Sequence, residues 1–480
     1  MSQRYWKGME ELRNDPEFVR LKNNEFYENL PLDELVQKKS DDNGATPRRD
    51  FLKFLGFSVA AASLAACEAP VRKTIPYLIR PDQITPGIAN WYASSYFDGY
   101  DYCSVLVKTR DGRPIKLEGN TLSSITKGGV NARVQASVLS LYDSARYKAP
   151  MIGGKEADWN TVDAEVSGKL SAIAASGGKI RLISSTVNSP STLKVIADFV
   201  SKYPTAKHIQ YDAISLSAIR QANMESFGVN AVPTYAFDKA EVIVSLACDF
   251  LVNWISPVEH AKQYAVTRKL DDGKKSMSRH YQFESALSVT GSNADQRVPV
   301  KPSQQLAIAA GIFNAIASKS GATAVNAPSV SAEVQKMINK AAEELWSAKG
   351  KAVVVCGINN SGIQNLVNAT NALLGSYGVT IDLDNASNLR NGSDAEAASL
   401  LDEVSKGEVA AMLFYNCNPV YTHPKGADLA KAMKAMQLTV AFSDRPDETA
   451  SLCNYNCPDL HVLESWNDFE PRRGMFSFAQ

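Results

Sequence analysis

The cysteines of this chain are its strongest candidates for metal or redox chemistry, and their spacing limits what they can do. They stand at positions 67, 103, 248, 356, 417, 453 and 457, and the pattern C-x2-C does not occur. The ferredoxin pattern C-x2-C-x2-C-x3-C is therefore absent. Cys453 and Cys457 are the closest pair. They could form a disulfide outside the cytoplasm, supply two ligands to a metal, or be buried thiols.

The histidines add little to this set. They stand at positions 208, 260, 280, 423 and 461, and no two of them have the spacing of paired ligands on a helix. His461, which follows Cys453 and Cys457, is the best-placed candidate metal ligand. The sequence has neither a P-loop nor a Gly-x-Ser-x-Gly nucleophile turn. We therefore assign no catalytic, cofactor-binding or metal-binding residue from spacing.

Three segments that follow apolar runs could contact a ligand. Residues 356–362 could present backbone N–H groups to a phosphate at a helix N-terminus, although they lack the G-x-G-x-x-G fingerprint. Residues 416–419 could contact a nucleotide, and residues 444–449 could take part in a ligand contact. Gly, Asn and Pro are also favoured in ordinary βα turns, so that interpretation stays open for each segment.

The elements that would position these segments form two patterns. Residues 102–107 and 114–119 are predicted to pair as a hairpin around Asp111-Gly112. From residue 159 onward, helical patterns alternate with apolar runs at 179–184, 241–246, 352–356, 379–383, 410–415 and 438–442. Apolar strands that alternate with helices favour parallel sheets buried on both faces.

Near the N-terminus, residues 46–67 read TPRRDFLKFLGFSVAAASLAAC and have the features of an export signal. Arg48 and Arg49 precede an uncharged apolar run at 54–66 that is too short to cross a bilayer. Paired arginines before such a run indicate the twin-arginine export route. Leu-Ala-Ala-Cys has the form of a lipobox, so Cys67 is the predicted lipidation site. The alternative is a buried, Ala-rich core helix.

These patterns predict an α/β fold with two doubly wound units and a small β-rich N-terminal part. The predicted divisions are an N-terminal extension (1–45), the signal (46–67), an extended tether (68–94), the β-rich domain (95–154) and α/β units at 155–300 and 300–480. The last residues resemble a strand, and we expect the chain to continue in the full-length protein. The formal net charge of zero gives no electrostatic reason to expect nucleic acid as a partner.

Several motifs resemble the molybdopterin oxidoreductase family. They are DGRPIKLEGN at 111–120, SLACDF at 245–250, GSNADQRVPVKPSQ at 291–304, YNCNP at 415–419 and DRPDETA at 444–450. The extension RYWKGMEEL ahead of a displaced twin-arginine signal resembles the iron–sulfur subunit of bacterial alternative complex III, a quinol oxidoreductase. In that family the first half is molybdopterin-oxidoreductase-like without a molybdenum cofactor, and the ferredoxin-like second half carries the clusters. This chain matches the first half.

The resemblance implies a cofactor-free part of a respiratory complex on the periplasmic face of the inner membrane, held there by a lipid anchor. The implied partners are c-type cytochromes and an integral-membrane quinol subunit. Cofactor-bearing relatives often have a cysteine cluster ahead of the DGR hairpin; here only Cys103 remains, and residues 128–131 replace a later cysteine. Ser215 and Ser217 lie near the place of a molybdenum ligand, but no motif selects one. An active molybdopterin-dependent oxidoreductase is the alternative.

Overall fold

The computed structural model of the 480-residue chain describes residues 84–85, 87–270 and 273–480. The predicted signal residues Arg48 and Arg49, the predicted lipidation site Cys67 and the predicted N-terminal extension lie outside the described residues. Among the described residues, no helix is both long and apolar enough to cross a membrane.

Short and medium-length strands make up the sheets of the described part. They are β1 Asn90–Phe97, β2 Tyr102–Arg110, β3 Arg113–Gly119, β4 Met151–Ile152, β5 Lys155–Glu156, β6 Lys179–Ser184, β7 Ala206–Gln210, β8 Val232–Tyr235, β9 Val242–Leu246, β10 Arg279–Glu284, β11 Gln296–Pro299, β12 Ala352–Cys356, β13 Ile381–Ser387, β14 Val409–Tyr415, β15 Leu438–Phe442, β16 Tyr455–Cys457, β17 Asn467–Arg472 and β18 Met475–Ala479.

The α-helices lie mainly between consecutive strands. In the described residues they are α1 Ala132–Ser140, α2 Trp159–Ala175, α3 Pro190–Lys202, α4 Ser217–Phe227, α5 Pro257–Arg268, α6 Val289–Ser292, α7 Gln305–Ser320, α8 Ala332–Ser347, α9 Ser361–Leu374, α10 Asp394–Ser405, α11 Pro419–Thr422 and α12 Gly426–Met433. Most begin at a residue whose side chain accepts a backbone hydrogen bond, such as Asp158 before α2 and Asn360 before α9.

The predicted hairpin is confirmed. Strands β1, β2 and β3 form a three-stranded antiparallel sheet. The turn between β2 and β3 places Asp111 at φ 51° and Gly112 at φ 76°. Two successive residues with positive φ give a turn whose twist matches that of the flanking strands, and Asp-Gly is one of the pairs that favour this conformation.

The largest sheet has the order β5-β4-β16-β15-β14-β6-β7, and its strands from β16 to β7 are parallel. Its central strands are almost continuously apolar because helices cover both faces. One face packs Leu182, Leu413 and Val440 against Ile173, and the opposite face packs Phe414 against other apolar side chains. The strand predictions at 179–184, 410–415 and 438–442 agree with β6, β14 and β15.

A second parallel sheet has the order β11-β10-β9-β12. Its core includes Val244, Tyr281 and Val354, packed against α7 and α8 through Ile312 and Leu345. Both parallel sheets are covered by helices, so the predicted α/β fold class with two doubly wound units is confirmed. The strand order was not predicted: the larger sheet contains strands from both sides of residue 300. The domain boundaries stay a prediction.

The apolar run at 379–383 was predicted as a parallel strand, and this prediction was wrong. Strand β13 instead pairs antiparallel with β8 and β17 in an antiparallel sheet of order β18-β17-β13-β8. Its middle residues are exposed and polar, and Asp382 near its start accepts hydrogen bonds from the backbone and side chain of Asn385. A strand with such a middle is suited to a partly solvated antiparallel sheet rather than to a parallel sheet buried on both faces.

Candidate functional site

The carboxyl ends of β6, β7 and β14 meet at one edge of the larger sheet because these strands are parallel neighbours. The β1–β2 turn approaches this edge closely: a Cβ atom on Gly99 would lie 2.7 Å from Ser185 Oγ and 3.2 Å from Asn416 Nδ2. This contact and a φ of 82° both require glycine at position 99. Ligands of open α/β sheets bind at carboxyl strand ends, so we treat this place as the candidate site. We call residues 98–101, 185–188, 212, 390–392 and 416 the strand-exit junction.

Asp212 is the centre of hydrogen bonding in the strand-exit junction. Its side chain accepts the Thr186 backbone N–H at 3.0 Å and the Thr186 hydroxyl at 2.8 Å. It also accepts the Gly392 backbone N–H at 2.8 Å. The Thr186 hydroxyl oxygen accepts the Asn391 N–H at 2.6 Å. One carboxylate therefore joins three segments that are distant in sequence.

A second set of hydrogen bonds connects the end of β12 to the starts of α4 and α10. Asn359 Oδ1 accepts the Ala218 N–H at 2.9 Å, and Asn359 Nδ2 donates to Asp394 Oδ2 at 2.7 Å. The Ser217 hydroxyl oxygen accepts the Asp394 N–H at 3.3 Å. The turns at the carboxyl ends of both parallel sheets are thus bound to neighbouring elements of the chain.

Two guanidinium groups lie close to the Tyr100 ring. The Arg390 and Arg133 guanidiniums lie 4.2 Å and 4.5 Å from the ring centroid, which is within the range of a cation–π contact. Arg133 also donates to Asp101 at 2.7 Å. Burial raises the pKa of the Tyr100 hydroxyl, and the positive charges of Arg390 and Arg133 oppose that rise. The ring therefore stays neutral and covers Arg390.

Buried polar atoms without a hydrogen-bond partner are concentrated here. They are Asp101 Oδ1, Ser185 Oγ, both amide atoms of Asn188, and Arg390 Nη2. Each such atom costs ~1–3 kcal/mol when it is left without a partner. A group of them at one place indicates a position for ordered water or for a polar ligand.

Two of the three predicted ligand segments come together, and their side chains bind each other. Asn418 Oδ1 accepts the Thr449 hydroxyl at 2.6 Å, and Asn418 Nδ2 donates to Glu448 at 2.6 Å. The turns at residues 416–419 and 444–449 are therefore joined to each other by side-chain hydrogen bonds. In the third segment, Asn360 Oδ1 caps α9 by accepting the Ile363 N–H at 3.1 Å. These are features of βα turns, and ligand binding by the three segments stays a prediction.

Cys453 and Cys457 are free thiols, and both are buried. Burial raises the pKa of Cys453 to about 12 and that of Cys457 to about 11. His461 Nε2 lies 3.1 Å from the Ser137 carbonyl oxygen. Among the described residues, no group of three His, Cys, Asp or Glu side chains is arranged to hold a metal ion. Of the three interpretations of the cysteine pair, the structure agrees with buried thiols.

Ser215 and Ser217 lie in the turn that starts α4. Ser215 Oγ accepts the Ser217 N–H at 3.0 Å, which is a local turn contact. Sequence reasoning missed Asp212, Thr186 and Arg390. Asp212 had a usable signal, because it is a carboxylate placed just after a strand, whereas Arg390 lies in an irregular segment with no motif.

Sequence comparison identifies relatives at low identity, and no family model matches the chain. The chain is 23% identical over 476 residues to the menaquinone reductase molybdopterin-binding-like subunit of Nitratidesulfovibrio vulgaris, covering 88% of this chain and 67% of that protein. It is 20% identical over 427 residues to the NADPH-Fe(3+) oxidoreductase subunit alpha of Geobacter sulfurreducens, covering 76% of this chain and 50% of that protein. The chain therefore spans about two thirds and one half of these relatives.

Acetylene hydratase from Pelobacter acetylenicus has a similar fold, with a TM-score of 0.63 at 12% sequence identity. The superposition covers 81% of this chain and 66% of the hydratase chain. The chain thus has a molybdopterin-oxidoreductase-like fold. Both sequence relatives are named as subunits of oxidoreductases.

Proposed function

We propose that this chain belongs to an exported, membrane-anchored subunit of a quinol-oxidising respiratory complex of the alternative complex III type. The described part is a scaffold without a molybdenum cofactor, and the iron–sulfur clusters belong to a further C-terminal part. The observation that carries the scaffold role is the bonding of Asp212 to Thr186 and Gly392, which uses polar groups at the strand ends for contacts within the chain. The similarity to a menaquinone reductase subunit supports the respiratory setting.

Exposed aromatic side chains support the docking of partner subunits. Trp466 is 77% exposed, and it lines a groove of about 550 Å³ together with Tyr92 and Tyr142. Further exposed aromatic side chains are Trp91, Trp159, Phe476 and Phe478. Aromatic residues are enriched at protein–protein interfaces. In this proposal the partners are c-type cytochromes and an integral-membrane quinol subunit, assembled on the periplasmic face of the inner membrane.

The alternative function is that of an active molybdopterin-dependent oxidoreductase. The unpartnered polar atoms of Ser185, Asn188 and Arg390 favour it, because a pterin ligand carries amide and phosphate groups that could bind them. The close approach of Gly99 to Ser185 and Asn416, which leaves no room for a Cβ atom, favours the scaffold, because it brings backbone against the strand ends that a large cofactor would approach.

Elemental analysis separates these two functions. The 480-residue chain, produced with its own signal and purified folded from the periplasm, should contain molybdenum and tungsten far below one atom per chain. Plasma mass spectrometry measures both metals, and a known molybdoenzyme produced in the same host shows that the cofactor is being made. Stoichiometric molybdenum or tungsten in this chain would contradict the scaffold and support the enzyme.

Export should depend on the arginine pair. Changing Arg48 and Arg49 together to Lys should prevent the chain from reaching the periplasm, because lysine keeps the charge but lacks the planar guanidinium fork. Cell fractionation and immunoblotting measure the exported fraction. The Cys67→Ala variant is the matched control: it should still be exported but should lose its membrane attachment. Normal export of the Lys-Lys variant would contradict the twin-arginine assignment.

A further inference from the structure

Arg390 is a buried arginine with an incomplete set of partners. The residue is 2% exposed, and Nη1 donates to the carbonyl oxygens of Leu389 at 2.7 Å and Gly99 at 3.3 Å. Nη2 is buried and has no partner. Among the described residues, no carboxylate lies within 4.0 Å of its guanidinium nitrogens, so Arg390 forms no ion pair there.

The carboxylates around this position are occupied by other groups. Asp98 accepts the backbone N–H groups of Tyr100 and Asp101 at 2.8 Å and 2.7 Å. Asp101 forms an ion pair with Arg133 at 2.7 Å, and Asp212 accepts the hydrogen bonds at the centre of the strand-exit junction. Asp101 Oδ1 has no hydrogen-bond partner, but among the described residues none of these carboxylates forms an ion pair with Arg390.

A buried guanidinium without an anion is energetically unfavourable, because it keeps its charge throughout the physiological pH range. The cation–π contact with Tyr100 offsets only part of this cost, since such contacts contribute about 0.5–2 kcal/mol. Losing the hydration of an ion costs several kcal/mol even in real proteins. Compensating the charge of the Arg390 guanidinium therefore requires an anion that the described residues do not supply.

Neutral hydrogen-bond donors lie on the segments that meet near Gly99. Gly99 connects them: its carbonyl oxygen accepts from Arg390, and Ser185 Oγ and Asn416 Nδ2 face its Cα. Ser185 Oγ is buried without a partner, and so is the amide of Asn188 on the same turn. A guanidinium with neighbouring hydroxyl and amide donors is the chemistry that recognises phosphate and sulfate.

We propose that Arg390, with Ser185 and Asn188 as neutral donors, binds a small inorganic oxyanion of the phosphate or sulfate type at the strand-exit junction. The Tyr100 ring covers the guanidinium on one side, and the anion satisfies the free Nη2. This proposal goes beyond the scaffold function and does not depend on it, because the bound anion is neither a metal nor a redox group.

Thermal unfolding of the full chain tests this proposal. The melting temperature should rise with inorganic phosphate, and with sulfate, relative to chloride at the same ionic strength, because a ligand that binds only the folded state stabilises it. A nucleoside diphosphate at the same concentration forms a third arm. Stabilisation by the nucleotide alone would overturn the proposal, because the site would then recognise a larger ligand. Equal melting temperatures in phosphate and chloride would also overturn it.

Two variants locate the effect. Arg390→Gln should fold and should show a smaller difference between phosphate and chloride, because only the general stabilisation of folded proteins by phosphate then remains. Arg181→Gln is the matched control, because Arg181 is also a buried arginine but is paired with Glu403 at 2.7 Å and 3.0 Å. It should lower the melting temperature while keeping the phosphate effect. An undiminished phosphate effect in Arg390→Gln would overturn the proposal. If that variant does not fold, Ser185→Ala provides the second test, with a smaller phosphate effect expected and an unchanged one counting against the site.

Discussion

Replacing Asp212 by alanine should destabilise the chain by about 3–5 kcal/mol, because several buried donors then lose their shared acceptor. Asp212 is 7% exposed. Its loss leaves the N–H groups of Thr186 and Gly392 buried without acceptors, and each such group costs ~1–3 kcal/mol. The Asp212→Asn variant should be milder, since its one amide oxygen can still accept one of these bonds.

Amide hydrogen exchange measures the destabilisation in the segments that Asp212 connects. Amides at 185–189 and 390–393 should exchange faster in Asp212→Ala, and the denaturation midpoint should fall. Asp428→Ala is the control, because the Asp428 side chain is 75% exposed and its pairing with Lys431 spans 3.9 Å. An exchange pattern in Asp212→Ala as slow as that of the parent chain would show that the carboxylate does not hold these segments together.

Local pattern was enough to predict many elements. The Asp111-Gly112 turn and the strands β6, β14 and β15 all depend on neighbouring residues, so periodicity and turn chemistry identify them. The prediction for strand β13 was wrong because its apolar start suggested burial, whereas its pairing with β8 and β17 determined its environment. Tertiary context overrides local propensity in such strands.

The candidate site was much less predictable. Thr186 and Asp212 are 26 residues apart, and Gly392 lies 180 residues beyond Asp212. These residues meet only because β6, β7 and β14 are neighbours in one sheet, and the order of strands cannot be read from periodicity. The cost of an unpaired Arg390 likewise becomes visible only when its burial and the partners of the nearby acids are known.

Arg181→Gln should cost about 3 kcal/mol, because it removes one partner of a largely buried ion pair. Arg181 lies on β6, and its side chain is 9% exposed, against 23% for Glu403. The hydrogen bonds from Arg181, together with those from Lys179, lower the pKa of Glu403 from 4.5 to about 2. A carboxyl group whose pKa is lower in the folded state stabilises the fold above its unfolded pKa.

This stabilisation should therefore be complete above about pH 5 and should be lost as the pH falls from about 4.5 towards 2. In Arg181→Gln the same acid titration should be weaker, because Lys179 alone then holds the Glu403 charge. Denaturation midpoints measured from pH 7 down to acid conditions give this slope. Lys351→Gln is the control, since Lys351 and Glu241 form an exposed pair, 63% and 59% accessible, and such pairs contribute about 0–1 kcal/mol. If Arg181→Gln and Lys351→Gln had equal effects on the acid slope, the ion pair would not be the source of the stability, and the β6 end of the larger sheet would depend on apolar packing alone.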